Sequence, residues 1–267
     1  MKIALLTNYP LADNRAWKQE LMQELAKHHE VFAVFGKKSI WDHLDTYLRR
    51  RNEIDVHRRY LLSPLPSSPG SGKGKDKSNP DQGAYTKHNA CMSPDPVNTL
   101  RFLRRLGIPC YEVSHLNDAA SVDLLKRLKP DYGIAAVDHM LWPAVIACFP
   151  TLLNAHYGNL PQIKGWNAIE WSILLHDHLN VCLHEIVERM DAGRIYLKES
   201  IAVNKGDDFE ILRAKCQAAA KSLHLRFFEG PEECKNLYES NEDGKNYYLM
   251  NWELKALAQK RIERVGL

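Results

Sequence analysis

The chain has 267 residues, of which 45% are apolar and 26% charged, with a formal net charge of +3. These ordinary globular values exclude wholesale disorder and a fibrous repeat, and a chain of this length buries about 75% of the surface it exposes when unfolded, so a full core is available. Two of the three surplus charges lie in residues 63–94, where Lys73, Lys75, Lys77 and Lys87 outnumber Asp76 and Asp81, so composition argues for no nucleic-acid surface.

In chain order, "KIALLT" is a continuous apolar run, the pattern of a strand buried on both faces. Asp13 or Asn14 can then cap a helix that carries Trp17, Leu21, Met22 and Leu25 on one face, and "EVFAVFG" reads as a second strand. Residues 63–94, rich in Pro, Gly, Ser and Lys, have almost nothing apolar to bury and are expected to form a flexible, solvated insertion. Order resumes with a helix ended by Gly107, a short strand, and the amphipathic helix "SVDLLKRLKP" stopped near Pro130. "DYGIAAVD" and "TLLNA" are the next strands, and "WNAIEWSILLHD" a helix. "LNVCLHEIV" and "GRIYLKESIAV" are two strand-like runs joined by the turn "ERMDAG". A long helix is expected from Asp207 to about Phe228, and another within "YYLMNWELKALAQKRIERV". The alternation predicts an α/β fold, a mostly parallel sheet with helices on both faces.

The six cysteines, Cys91, Cys110, Cys148, Cys182, Cys216 and Cys234, form no CxxC pair, and a chain this long needs no staples, so free thiols in a reducing compartment are expected. The opening "MKIALLTNYP" is too short an apolar run for a signal peptide or a membrane span, which predicts a cytoplasmic protein with no membrane partner. No sequence feature speaks to the oligomeric state.

Chemistry is expected where "LLNAHYGNLPQIKGWNAIEW" breaks from an apolar strand. Asn154 and His156 sit two positions apart, so both project to one side of the strand end, where ligands gather in open α/β sheets. Asp191 stands in the later turn, with its carboxylate available to meet them. An amide donor, an imidazole and a carboxylate suit attack on a carbonyl, since the first two can stabilise an oxyanion while the acid positions the base. On spacing alone, a turn-forming Asn and a structural His stay open as readings. "HDH" at His176–His178, with Cys182 and His184 nearby, lacks a metal-ligand spacing and reads as solvated loop. His115 and His139 read as capping or lining residues, and Trp166 and Trp171 as packing residues, although Trp166 could stack on a flat substrate.

The segments "LNAHYGNLPQIKGWNAIEW" and "VCLHEIVERMDAGRIYLKESIAV" resemble the folate-dependent formyltransferases, among them the glycinamide ribonucleotide, methionyl-tRNA and sugar-nucleotide enzymes. The shared pattern falls on Asn154, His156, Leu160 with Pro161, Lys164 with Gly165, His184, and Asp191 with Gly193, and the likeness runs from about Pro109 to Phe228. It implies a Rossmann-like formyltransferase fold and a catalytic triad of Asn154, His156 and Asp191. It also implies 10-formyltetrahydrofolate as formyl donor, no metal, and a donor slot along Asp138, His139, Met140 and Leu141 on one side and Glu188, Arg189 and Met190 on the other. A catalytic domain over residues 1–232 and a helical extension over 233–267 follow.

Departures from the pattern narrow the acceptor. Glycinamide ribonucleotide enzymes carry a glycine-rich phosphate loop after the first strand, whereas "TNYPLADN" has no glycine. Methionyl-tRNA enzymes carry a C-terminal barrel, for which the residues after Phe228 are too few. "NVC" at Asn180–Cys182 replaces the family's "GVT". The expected partner is therefore a small-molecule amine, an amino-sugar nucleotide or an amino-acid derivative, and no nucleic acid. A 10-formyltetrahydrofolate hydrolase is the enzymatic alternative, although such enzymes usually bear an extra N-terminal domain. A non-catalytic folate-binding protein is the alternative from another class.

Overall fold

The computed structural model describes residues 1–9, 16–37, 99–176 and 178–265. The expected cap at Asp13 or Asn14 and the insertion at 63–94 lie outside the described residues. Strand β1 (Lys2–Tyr9) leads to α1 (Ala16–Leu25) and β2 (Glu30–Lys37). The described chain continues with α2 (Thr99–Arg105), β3 (Cys110–Val113), α3 (Ala119–Leu128), β4 (Tyr132–Ala136), the one-turn α4 (Pro143–Ile146) and β5 (Thr151–His156). After it come β6 (Ile163–Gly165), α5 (Ala168–Leu175), β7 (Leu179–Glu185), β8 (Ile195–Ile201) and α6 (Phe209–Glu229). The C-terminal region adds α7 (Pro231–Asn236), β9 (Lys245–Tyr247) and α8 (Trp252–Val265).

Seven strands form one sheet in the order β3-β2-β1-β4-β5-β7-β8. The pairings from β3 through β5 are parallel, and β7 and β8 add antiparallel to that edge. Alternate residues of β1 serve opposite faces, as a doubly buried strand requires. Ile3 and Leu5 pack with Trp17, Leu21, Leu103, Leu223 and Phe227, whereas Ala4 and Leu6 pack with Leu116, Leu125, Val145 and Leu152. Each such fully buried large side chain contributes about 2 kcal/mol of transfer free energy, so the sheet is held firmly from both sides.

Helix α1 buries Trp17, Leu21, Met22 and Leu25, the face read from its spacing. Asp208 caps α6, its side chain accepting from the Ile211 amide at 2.8 Å. The C-terminal helix is present, with Ala258 and Ile262 wholly buried in the same core as α6. What precedes it departs from expectation: β9 pairs in parallel with β6, placing Ile163 beside Lys245 and Gly165 beside Tyr247. Tyr247 is therefore strand rather than the start of the last helix. Further ties bind this region, from Trp171 Nε1 to the Tyr248 carbonyl and from Arg261 to the Leu174 carbonyl.

Candidate active site

A cleft with a cavity of about 220 Å³ opens at the carboxyl ends of β4 and β5, against the connection between β7 and β8. Asn154, His156 and Asp191 all line it. Strand β5 delivers the first two because its side chains alternate, and the antiparallel β7 sets His184 directly opposite Asn154. Asp191 arrives from the connection at φ +45°, a left-handed conformation that short polar side chains tolerate best.

Chemistry fixes the tautomers. His156 Nε2 lies 2.9 Å from the Ile163 carbonyl, which can only accept, so that nitrogen carries a proton. Its Nδ1 points at Asp191 Oδ2, 3.4 Å away, with the imidazole only 6% exposed. His184 Nδ1 sits 2.8 Å from the Glu185 carbonyl and is likewise the protonated nitrogen. Its Nε2 then accepts from Asn154 Nδ2 at 3.2 Å, which orients the Asn154 amide and leaves the second amide hydrogen for the cleft.

Burial is the largest influence on His184 and pushes its imidazole down to about 4. His184 Nε2 is 3.6 Å from Asp191 Oδ1, but a neutral ring makes this contact no ion pair at neutral pH. For Asp191, burial raises the carboxyl, yet His156, His184, the Gly165 amide and Lys164 outweigh it and hold the group below its usual range. The Gly165 amide donates to Asp191 Oδ2 at 2.8 Å. Gly165 has φ +96° and a Cβ there would lie 2.3 Å from the Tyr247 carbonyl, so this donor position requires glycine. Burial, then Arg189, lowers the Lys164 ammonium, whose Nζ donates to the Asn241 carbonyl at 2.7 Å.

Most of the residues expected to flank the donor line this cleft. Asp138, His139, Met140 and Leu141 line one wall and Arg189 and Met190 the other. Asn117 anchors the first loop, its Nδ2 donating to the Met140 carbonyl at 3.0 Å and its Oδ1 accepting from the Trp142 amide at 2.8 Å. Asn8 Nδ2 also donates to Asp138. Glu188 is exposed and not among the lining residues, because its place in the connection turns it to solvent. Ile186 and Val187 line the cleft instead, and so does Trp166, 41% exposed at its lip, where a flat substrate could stack on it as its sequence position suggested. For Ile186 and Val187, their place beside the motif residues was the only sequence signal. His115 accepts from the Asn117 amide and packs 4.9 Å from His139, the supporting role expected of it.

Two wholly buried histidines set an acid limit on the fold. His184 and His224 are both held down to about 4 by burial, so the unfolded chain binds more protons below the ordinary value of 6.5. Stability present above that value is lost as the pH falls. Between pH 8 and pH 5 each should cost about 2 kcal/mol, and His224→Gln should recover about that amount. Urea titrations of both proteins at the two pH values measure it; identical losses in the variant would refute the assignment.

An open α/β sheet brings an amide, an imidazole and a carboxylate around one cleft, the groups that acid and base work on a carbonyl requires. The chain belongs to the formyl transferase family, which it matches over residues 10–227. It is similar to a methionyl-tRNA formyltransferase of Kosmotoga olearia, with 27% identity over 177 residues that cover 65% of this chain and 52% of that protein. It thus spans about half the length of such relatives. Among solved structures, a phosphoribosylglycinamide formyltransferase of Bacillus halodurans shares the fold with TM-score 0.56 and 16% identity, covering 89% of this chain and 99% of that one. A sugar N-formyltransferase of Shewanella sp. gives TM-score 0.54 at 11% identity, covering 98% and 88%.

Proposed function

We propose that this protein transfers a formyl group from 10-formyltetrahydrofolate to the primary amine of a small metabolite, an amino-sugar nucleotide or an amino-acid-derived amine. The observation that carries this reading is the Asp191 carboxylate 3.4 Å from His156 Nδ1 at a cleft that Asn154 also lines. The cleft fits the donor's flat head group: Leu141, Ile186, Val187 and Met190 supply apolar walls, with Asp138, His139 and Arg189 as polar groups between them. The donor supplies an activated formyl carbon.

Asn154 offers its remaining amide hydrogen to the oxygen that gains negative charge when an amine adds. His156, once Nδ1 carries a second proton, places a cation beside the same point, and such preorganised donors are worth about 3 kcal/mol each. Asp191 stabilises that imidazolium and takes, directly or through water, the proton the amine must lose; the bond from the formyl carbon to N10 of the donor would then break, and N10 would take up that proton and leave in tetrahydrofolate. The preference for a small acceptor is supported by the glycine-free "TNYPLADN", which offers no backbone cradle for a ribonucleotide phosphate, and by a charge surplus concentrated in residues 63–94.

The test mixes purified protein with 10-formyltetrahydrofolate, with and without a panel of amines, and follows release of tetrahydrofolate. Amine-dependent release is expected. Release independent of any amine would make the protein a hydrolase, and binding without release would remove catalysis altogether.

A further inference from the structure

We infer that Asn241, in the C-terminal region, is a positioning residue that holds the Asp191 turn against His156; this rests on the reading of Asp191 and His156 as the working pair. Asn241 is 2% exposed and its Nδ2 donates to two main-chain oxygens, that of Asp191 at 2.7 Å and that of Gly193 at 2.9 Å. Carbonyl oxygens only accept, so the NH₂ of an amide is what this position demands. The turn needs such a tie. Asp191 sits at φ +45°, where an L-residue stays only when other contacts hold it, and Gly193 presses so close to the Glu185 carbonyl that a Cβ would lie 2.0 Å from it.

The same segment grips the other side of the carboxylate. Glu239 exchanges main-chain hydrogen bonds with Ile195 at 3.1 and 2.8 Å, just beyond the turn. The Asn241 carbonyl accepts from Lys164, and the Tyr247 carbonyl accepts from the Trp166 amide at 2.9 Å. Lys164 and Trp166 flank Gly165, whose amide bonds the Asp191 carboxylate. Residues 239–247 therefore tie down both the turn that carries the carboxylate and the loop that hydrogen-bonds it. Asn241 does not line the cleft, so any effect it has on chemistry passes through Asp191.

The experiment measures kcat, KM for 10-formyltetrahydrofolate and the urea midpoint of the full chain with Asn241→Leu, with Asp191→Asn and with both together. Asn241→Leu, close in size but unable to donate, should lower kcat for formyl transfer about 10- to 100-fold with KM little changed, as expected for a misplaced catalytic group, and should add nothing in the Asp191→Asn background. If Asn241→Leu fails to fold, Asn241→Ser, whose hydroxyl donates to one carbonyl at a time, should give a smaller loss of kcat. A kcat that falls in Asp191→Asn but in neither Asn241 variant, or an Asn241 loss that adds in full to that of Asp191→Asn, overturns this inference alone. An Asp191→Asn variant within tenfold of wild type overturns the working pair, and the inference with it.

Discussion

Asp191→Asn is expected to lower kcat for formyl transfer by about 10³-fold while leaving the fold intact. The amide oxygen of the substitute can still accept from the Gly165 amide, so the loop contact at 2.8 Å survives. What disappears is the negative charge 3.4 Å from His156 Nδ1, and with it both the support for an imidazolium and the proton acceptor. Asp191→Glu keeps the charge but moves it by a methylene, and a displacement near 1 Å at a catalytic group costs about 10²-fold. The pH profile separates this role from a merely structural one. Because the Asp191 carboxyl is held below its ordinary value of 3.8, it stays ionised throughout the range above that value, so it should impose no acid limb on wild-type kcat/KM between pH 5 and pH 8. Steady-state rates of tetrahydrofolate release across that range test both points, and a variant within tenfold of wild type would remove Asp191 from the chemistry.

The parts of this molecule that could be read from sequence are those whose signal is local. A continuous apolar run such as Ile3–Leu6 announces a strand buried on both faces, and Asn154 and His156 share a side of β5 because side chains alternate. Asp191 could be paired with them only through the composite motif, since nothing in its own turn says which strand it will face. The pairing of β6 with β9 left no trace in either segment. Three residues carry no periodicity, and the partner lies about eighty positions away, so only the folded chain selects the register. Asn241 was hidden for the same reason, as an Asn in a polar stretch that becomes buried when two loops close around it. The lining of the cleft was legible where backbone follows a strand, at Asp138–Leu141, and less so in the β7 to β8 connection, where Glu188 turns outward while Ile186 and Val187 face the cleft. Which side of an irregular connection faces inward depends on its dihedral angles, which composition does not encode.

His156→Ala is expected to lower kcat by about 10²- to 10³-fold, a little less than the loss of Asp191, because the proton acceptor remains at the cleft. The alanine removes a cation beside the developing oxyanion and leaves the Ile163 carbonyl, bonded at 2.9 Å in the wild type, without its partner. That second effect belongs to stability and must be separated from the first. A buried carbonyl stripped of its donor costs about 1 to 3 kcal/mol. His156→Gln reduces this confusion, since its amide can donate toward the Ile163 carbonyl but cannot carry a proton beside Asp191. If the imidazole acts by charge, His156→Gln should be nearly as slow as His156→Ala yet closer to wild type in urea denaturation. If instead the ring serves only to brace the loop after β5, His156→Gln should recover most of the rate, because the brace is what it preserves. The two outcomes place His156 on opposite sides of the line between chemistry and architecture, and a single pair of rate and stability measurements on the same protein preparations decides between them.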